Sequence, residues 1–243
     1  MVQSNSRDNS QTHKNLAEKE SSTSRIAPWI ARLVYPLFRY LVLPFYFDRI
    51  EVKGRENVPE GGPVILAPTH RSRWDALLIG YAAGRDITGR DLRFMVSADE
   101  MQGLQGWFIR RLGGFPVNPK HPGISSLRHG IELLENKEML VIFPEGRIFH
   151  TQEVQPIEPG FARLALQAES NNPGLGVKIV PMSLSYHPPI PHWRSAVEVA
   201  IGEPLVVDDY CKKPPKECSK YLKADLKAAL ERVHEERLKA EKN

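Results

Sequence analysis

The stretch from Pro63 to Asp75 holds the residues most suited to chemistry: Pro-Val-Ile-Leu-Ala-Pro-Thr-His-Arg-Ser-Arg-Trp-Asp. Val64 to Ala67 is a short apolar run expected to form a buried strand. Pro68 cannot donate to a ladder and should end it. Ser72 is placed to cap a helix running from Trp74 to Ala83. Two residues five apart on one helix would face different ways. His70 on the turn ahead of the helix and Asp75 in its first turn can instead meet. An Asp holding one imidazole nitrogen leaves the other free to take a proton from a hydroxyl, the orienting logic of a catalytic dyad. With eight histidines in 243 residues, a His-x4-Asp spacing arises by chance about 0.3 times per chain. The pair therefore needs support from elsewhere in the chain.

A second place of interest is Val141 to Arg147, where an apolar run stops at Pro144 and is followed by Glu145, Gly146 and Arg147. Gly146 would let backbone approach a ligand closely. Arg147 can grip a phosphate or carboxylate with two hydrogen bonds, and Glu145 can fix that Arg or the loop. Taken alone, the same residues describe a surface turn with a solvated ion pair worth under about 1 kcal/mol. Other patterns fail on their chemistry. Gly84-x4-Gly89-Arg90-Asp91 lacks the Lys and Ser/Thr of a phosphate loop. Gly174-x-Gly176 lacks a third glycine, and no Gly-x-Ser-x-Gly elbow occurs. His187 and His192 lie among prolines without the partners of a zinc site, which favours a surface loop. No metal is expected.

These side chains need a scaffold, and the whole chain offers an ordinary globular one. It is 41% hydrophobic and 26% charged, with a formal charge of +4 and a pI of about 9.0. The mild excess suits an anionic membrane surface or a phosphate-bearing substrate; no dense Lys/Arg stripe points to nucleic acid. Cys211 and Cys218 form no CxxC pair and are expected to be reduced thiols. No secretory signal is visible, because the first apolar run follows a polar segment.

Residues 1–24 are polar and expected to be a disordered tail. Residues 25–48 are strongly apolar but carry Arg32, Arg39, Pro36 and Pro44. Each Arg would cost about 2.5–3.5 kcal/mol at a bilayer centre, and the prolines interrupt a helix. Arg25, Arg32 and Arg39 recur every seven residues on one helical face, and Trp29, Tyr35, Tyr40 and Tyr46 suit a headgroup layer. A kinked amphipathic element lying in the membrane interface is expected. From 49 to 210, apolar runs of strand length alternate with helical patterns, implying an α/β fold with a mostly parallel sheet flanked by helices. Functional loops should then gather at the carboxyl ends of the strands. Residues 211–243 read as a Lys/Pro linker and a C-terminal helix with Leu222, Leu226, Leu230 and Val233 on a docked stripe.

Taken in order, these blocks resemble the membrane-associated glycerolipid acyltransferases typified by lysophosphatidic acid acyltransferase. His70-x4-Asp75 matches that family's catalytic block, and Gly106 to Val117 (Gly-Trp-Phe-Ile-Arg-Arg-Leu-Gly-Gly-Phe-Pro-Val) resembles its acceptor-binding block. Phe143-Pro144-Glu145-Gly146 matches the third and Ile179-Val180-Pro181 the fourth, so the resemblance spans about residues 49 to 205. There are departures. Thr69 stands where the family usually has Asn. Asn118-Pro119, with Lys120 adjacent, replaces an Arg that contacts the acceptor phosphate, and Arg147 follows Gly146 without an intervening Thr.

The resemblance implies an O-acyltransferase on the cytoplasmic face of a membrane, using acyl-CoA or acyl-carrier protein as co-substrate and no bound cofactor. His70 would deprotonate the acceptor hydroxyl and Asp75 would orient it. Arg147, helped by Lys120 or Arg111 and framed by Glu145 and Gly146, would hold the anionic head of a lysophosphatidic acid. Another lysolipid or glycolipid acceptor, or a membrane-docked scaffold with a degenerate site, are the alternatives.

Overall fold

Short apolar runs punctuated by Pro and Gly become the strands of one sheet, and amphipathic stretches become the helices that cover it. In the computed structural model, residues 24, 26–118, 123–211 and 215–240 are described. The expected tail at residues 1–24, most of the 212–216 linker and Lys120 lie outside or largely outside them. In chain order the elements are α1 (Pro28–Leu37), a π turn (Phe38–Val42), α2 (Leu43–Tyr46), β1 (Arg49–Lys53), β2 (Val64–Pro68), α3 (Asp75–Ala83) and α4 (Arg85–Thr88). Then follow β3 (Leu92–Ser97), α5 (Gly103–Arg111), β4 (Gly114–Val117), α6 (Ile124–Glu135), β5 (Met139–Val141) and α7 (Pro159–Asn171). Last come β6 (Lys178–His187), β7 (Ala196–Ile201), β8 (Leu205–Val206) and α8 (Pro215–Ala240).

The strand order is β1-β7-β6-β2-β5-β3-β4, with β8 also on β6. β6, β2, β5, β3 and β4 run parallel, while β7 and β8 pair antiparallel with β6. Successive side chains of a strand point to opposite faces. Val64 and Leu66 of β2 accordingly join one apolar layer with α3, and Ile65 and Ala67 join the other with α6, α7 and α8. A parallel sheet buried on both faces reads as a continuous apolar run rather than an alternating one, and all five residues of β2 are buried. The C-terminal helix docks through Leu222, Leu226 and Leu230, each removed from solvent, at about 1.5–3 kcal/mol per side chain.

β6 extends past Pro181, where the apolar run Val177 to Pro181 suggests a strand end. Pro181 falls between the residues that pair with β8 (178 and 179) and those that pair with β7 (182 to 187). No antiparallel partner calls on the missing N–H there, so the strand continues to His187. The pattern from Asp99 to Leu112, closed by Gly113-Gly114, suggests a single helix; the structure splits it into a 3-10 turn over Ala98–Met101 and α5. Gly106 allows the two to pack, since a Cβ there would lie 2.0 Å from the Met101 carbonyl oxygen.

At the N-terminus the apolar segment is helical, and no helix among the described residues is long and apolar enough to cross a membrane. Trp29, Leu33, Leu37, Leu41 and Phe45 recur every four residues, and with Tyr40 are 43–74% exposed. A four-residue repeat drifts about 40° per step on a helix of 3.6 residues per turn. The wider π turn at Phe38–Val42 takes back part of that drift and keeps the stripe together. Two expectations change here. Tyr35 turns inward against Gly84 of the α3–α4 junction, where burial and nearby Asp91 push its phenol up to about 12. Arg39 also turns inward, donating to the Tyr81 carbonyl (2.9 Å) with its guanidinium over the Tyr81 ring. Tyr46 packs against the Trp74 ring at a tilt.

Candidate active site

The ends of β2 and β5 lie side by side, with Leu66 paired to Val141, so the turn after β2 faces the loop after β5. Thr69 prolongs the ladder toward β6: its N–H bonds to the Met182 carbonyl, and its hydroxyl accepts the Leu184 N–H at 2.9 Å. Oxygen on a short side chain suffices for that contact, so Thr serves where an Asn would.

His70 Nδ1 lies 2.8 Å from Asp75 Oδ2. An ionised carboxylate can only accept, so Nδ1 carries the proton and Nε2 presents its lone pair. Nε2 has no hydrogen-bond partner among the described residues, and the imidazole side chain is 19% exposed while that of Asp75 is 0%. The helix start differs from the expected Ser72 cap. Asp75 is the first residue of α3 and bends back to accept the N–H groups of Arg71 (2.6 Å) and Ser72 (2.9 Å) on Oδ2. The ring of His70 also stacks on Phe143, with centroids 3.9 Å apart. The imidazole is thus held on one face by a ring and at one nitrogen by a carboxylate.

Two side chains that sequence reasoning missed complete the arrangement. Tyr186 donates to Asp75 Oδ1 at 2.5 Å from near the end of β6. Burial, then the charge of Asp75, push its phenol far above its usual range, so it stays a donor. The signal was the alternation Met182, Leu184, Tyr186 along a strand that seemed to stop at Pro181. Arg71 is the other: its guanidinium forks onto Glu145, Nη1 to Oε2 at 2.7 Å and Nη2 to Oε1 at 3.0 Å. Glu145 also accepts the backbone N–H of His70 (2.8 Å) and of Gln155 (2.8 Å).

Of the two roles expected of Glu145, the structure keeps one, fixing its loop, and corrects the other, holding Arg147: its side chain is fully buried, ties the His70 turn to its own loop and spends both oxygens on N–H groups other than those of Arg147. Gly146 supplies the tight turn, at φ 75°, where a Cβ would come 3.0 Å from Glu158. Arg147 is exposed at the loop, with its guanidinium 4.7 Å from the Phe149 ring centroid. Phe149 N–H in turn bonds the His70 carbonyl at 2.9 Å, so the arginine's support is attached to the dyad turn. Arg111 is a second correction. It lies three residues before β4, a strand parallel to β3 and hence to β2, so it sits at the end of the sheet opposite the dyad. Its guanidinium covers Trp107. Lys120 follows the carboxyl end of β4 in sequence but is outside the described residues.

An open apolar cleft of about 70 Å³ lies between the N-terminal helices and α3, lined by Val34, Phe38, Leu43, Ala76, Leu77 and Phe94 among others; Ala76, the residue after Asp75, is its nearest point to the dyad in sequence.

The family model for acyltransferases matches residues 49–185. The chain belongs to the acyltransferase family. It is 27% identical over 176 residues to 1-acyl-sn-glycerol-3-phosphate acyltransferase of Bacillus subtilis, covering 69% of this chain and 79% of that protein. The human 1-acyl-sn-glycerol-3-phosphate acyltransferase alpha is 30% identical over 162 residues, covering 64% of this chain and 51% of its relative. In fold the acyltransferase is similar to the crystal structure of the 1-acyl-sn-glycerophosphate (LPA) acyltransferase PlsC from Thermotoga maritima. That likeness has a TM-score of 0.62 at 20% identity, with 85% of this chain and 80% of the other covered. Its O-acyltransferase class and its likeness to glycerolipid acyltransferases agree with what the four sequence blocks imply.

Proposed function

We propose that this acyltransferase moves a fatty acyl group from an acyl thioester, acyl-CoA or acyl-carrier protein, to the free 2-hydroxyl of a lysophosphatidic acid. The observation that carries the reading is His70: Nδ1 engaged by a buried carboxylate, and Nε2 without a hydrogen-bond partner among the described residues. Nε2 takes the hydroxyl proton as the oxygen attacks the thioester carbonyl. The C–O bond forms, the C–S bond breaks, and the thiolate leaves, taking up the proton from the imidazolium. Asp75 holds the tautomer and stabilises the transient imidazolium, and positioned base catalysis of this kind is worth about 10²- to 10⁴-fold.

Arg147, exposed and without a carboxylate partner among the described residues, is the side chain best placed to meet the acceptor phosphate. Lys120 is its proposed helper, and the apolar cleft takes an acyl chain. The exposed N-terminal stripe rests in a membrane surface, peripheral rather than spanning. A second reading, another lysolipid or glycolipid acceptor, is favoured only by Asn118-Pro119 in place of the usual second-block Arg.

Presenting lysophosphatidic acid and a panel of other lysolipids with one acyl-CoA, and reading products by mass, tests the acceptor. His70→Ala should abolish thioester consumption while the protein still sediments with vesicles. Turnover retained in that variant would sink the mechanism.

A further inference from the structure

The exposed apolar stripe of the N-terminal helices does not end with them. Phe45 meets Trp193 edge to face, ring centroids 4.5 Å apart, and Tyr46 lies 6.1 Å from the same indole. Trp193 belongs to the loop between β6 and β7, nearly 150 positions downstream by its number, and it remains 50% exposed with Ile190 at 62%. Main-chain bonds fasten this loop to the helix: Arg194 N–H to the Tyr46 carbonyl (2.7 Å) and Asp48 N–H to the Ser195 carbonyl (3.1 Å). Arg194 also pairs with Asp48. Three prolines, and the Ser195 hydroxyl accepting the His192 N–H at 2.9 Å, restrict the loop's own freedom.

We infer that the loop from Pro188 to Arg194 is the second half of the lipid-docking face, and that its occupant is an anionic bilayer surface. This rests on the reading of the N-terminal stripe as membrane-facing. Charge argues for that occupant: residues 26–47 and 187–197 contain no Asp or Glu, Asp48 beyond them is paired with Arg194, and exposed Arg32 within α1 and Arg49 just past the helices add positive charge. A second copy would bring like charge against like charge, whereas anionic headgroups complement it. Position argues the same way. Tyr46 packs on Trp74 with ring centroids 4.2 Å apart, and Trp74 precedes Asp75, so the face built by the loop and helix adjoins the turn that carries His70, where a lipid must arrive. Aromatic rings with a polar edge are suited to that depth.

The experiment is sedimentation of the full chain with vesicles of phosphatidylcholine, with and without phosphatidylglycerol. Ile190→Ser combined with Trp193→Ala should weaken binding to the mixed vesicles by about tenfold, and omission of phosphatidylglycerol should weaken binding of the unaltered protein. Leu33→Ser with Leu41→Ser tests the helical half alone. If the helix variant loses binding and the loop variant does not, the inference is overturned while the membrane reading stands; if neither loses it, both fall. A loop variant that instead changes oligomeric state in the absence of vesicles would make this face a contact between copies, again overturning it. Should Trp193→Ala fail to fold, Ile190→Glu alone, at an exposed side chain, must still weaken binding.

Discussion

Replacing Glu145 by Gln distinguishes a buttress from a substrate ligand. The carboxylate accepts four N–H groups: the His70 amide at 2.8 Å, two Arg71 guanidinium nitrogens at 2.7 and 3.0 Å, and the Gln155 amide at 2.8 Å. A carboxamide offers one oxygen, so its NH₂ must face a donor wherever it is placed. The Arg71 side chain is 4% exposed, and its charge would be left underpaired. Breaking a buried pair of this kind costs about 3–5 kcal/mol, a large part of the roughly 5–15 kcal/mol that holds a domain together. With a urea slope of about 1–3 kcal/mol per molar, the unfolding midpoint should fall by at least about 1 M. Because the His70 amide loses its anchor, kcat should fall about 10- to 100-fold while KM for the acceptor stays near its original value. Urea unfolding and steady-state kinetics on the same preparation read both. An unshifted midpoint with a raised acceptor KM would refute the reasoning and return Glu145 to the substrate. Arg71→Met with Glu145→Leu should cost less stability than either single change, because neither charge is then stranded.

Tyr186→Phe preserves the ring but deletes the donor to Asp75 Oδ1. Losing a hydrogen bond to a charged group costs about 1.5–3 kcal/mol, so kcat should drop about tenfold at constant KM, and an unchanged kcat would show Asp75 anchored well enough without it. Arg147→Ala should raise KM about tenfold or more for a phosphate-bearing acceptor and leave a neutral acceptor unaffected; equal effects on both would separate Arg147 from the phosphate. The Tyr35 phenol, raised to about 12 by burial, gives a pH dependence of known sign. Its stabilisation is complete below the unfolded value near 10 and is lost as pH rises through about 12, by roughly 2–3 kcal/mol. Urea midpoints on either side of that window should show the loss, and Tyr35→Phe should flatten it.

The local chemistry was legible in the sequence because it depends on near neighbours. A strand ended by proline, a turn and a helix start bring His70 to Asp75 across five positions, and Pro144-Glu145-Gly146 marks a loop leaving a buried strand. The α/β alternation was legible as well, since strand and helix periods differ. Side-chain partners from distant strands were not. Tyr186 reaches Asp75 from 111 residues away, and Glu145 reaches Arg71 from 74. Those meetings depend on β2 pairing with β5 on one side and β6 on the other, in a particular register. Register is set by the burial of whole strands on two faces, a property of the assembled sheet that no local stretch encodes. The same assembly carried Arg111 to the far end of the sheet and turned Tyr35 and Arg39 away from the face their spacing suggested. Sequence determined which groups could react; the sheet decided which of them stand together.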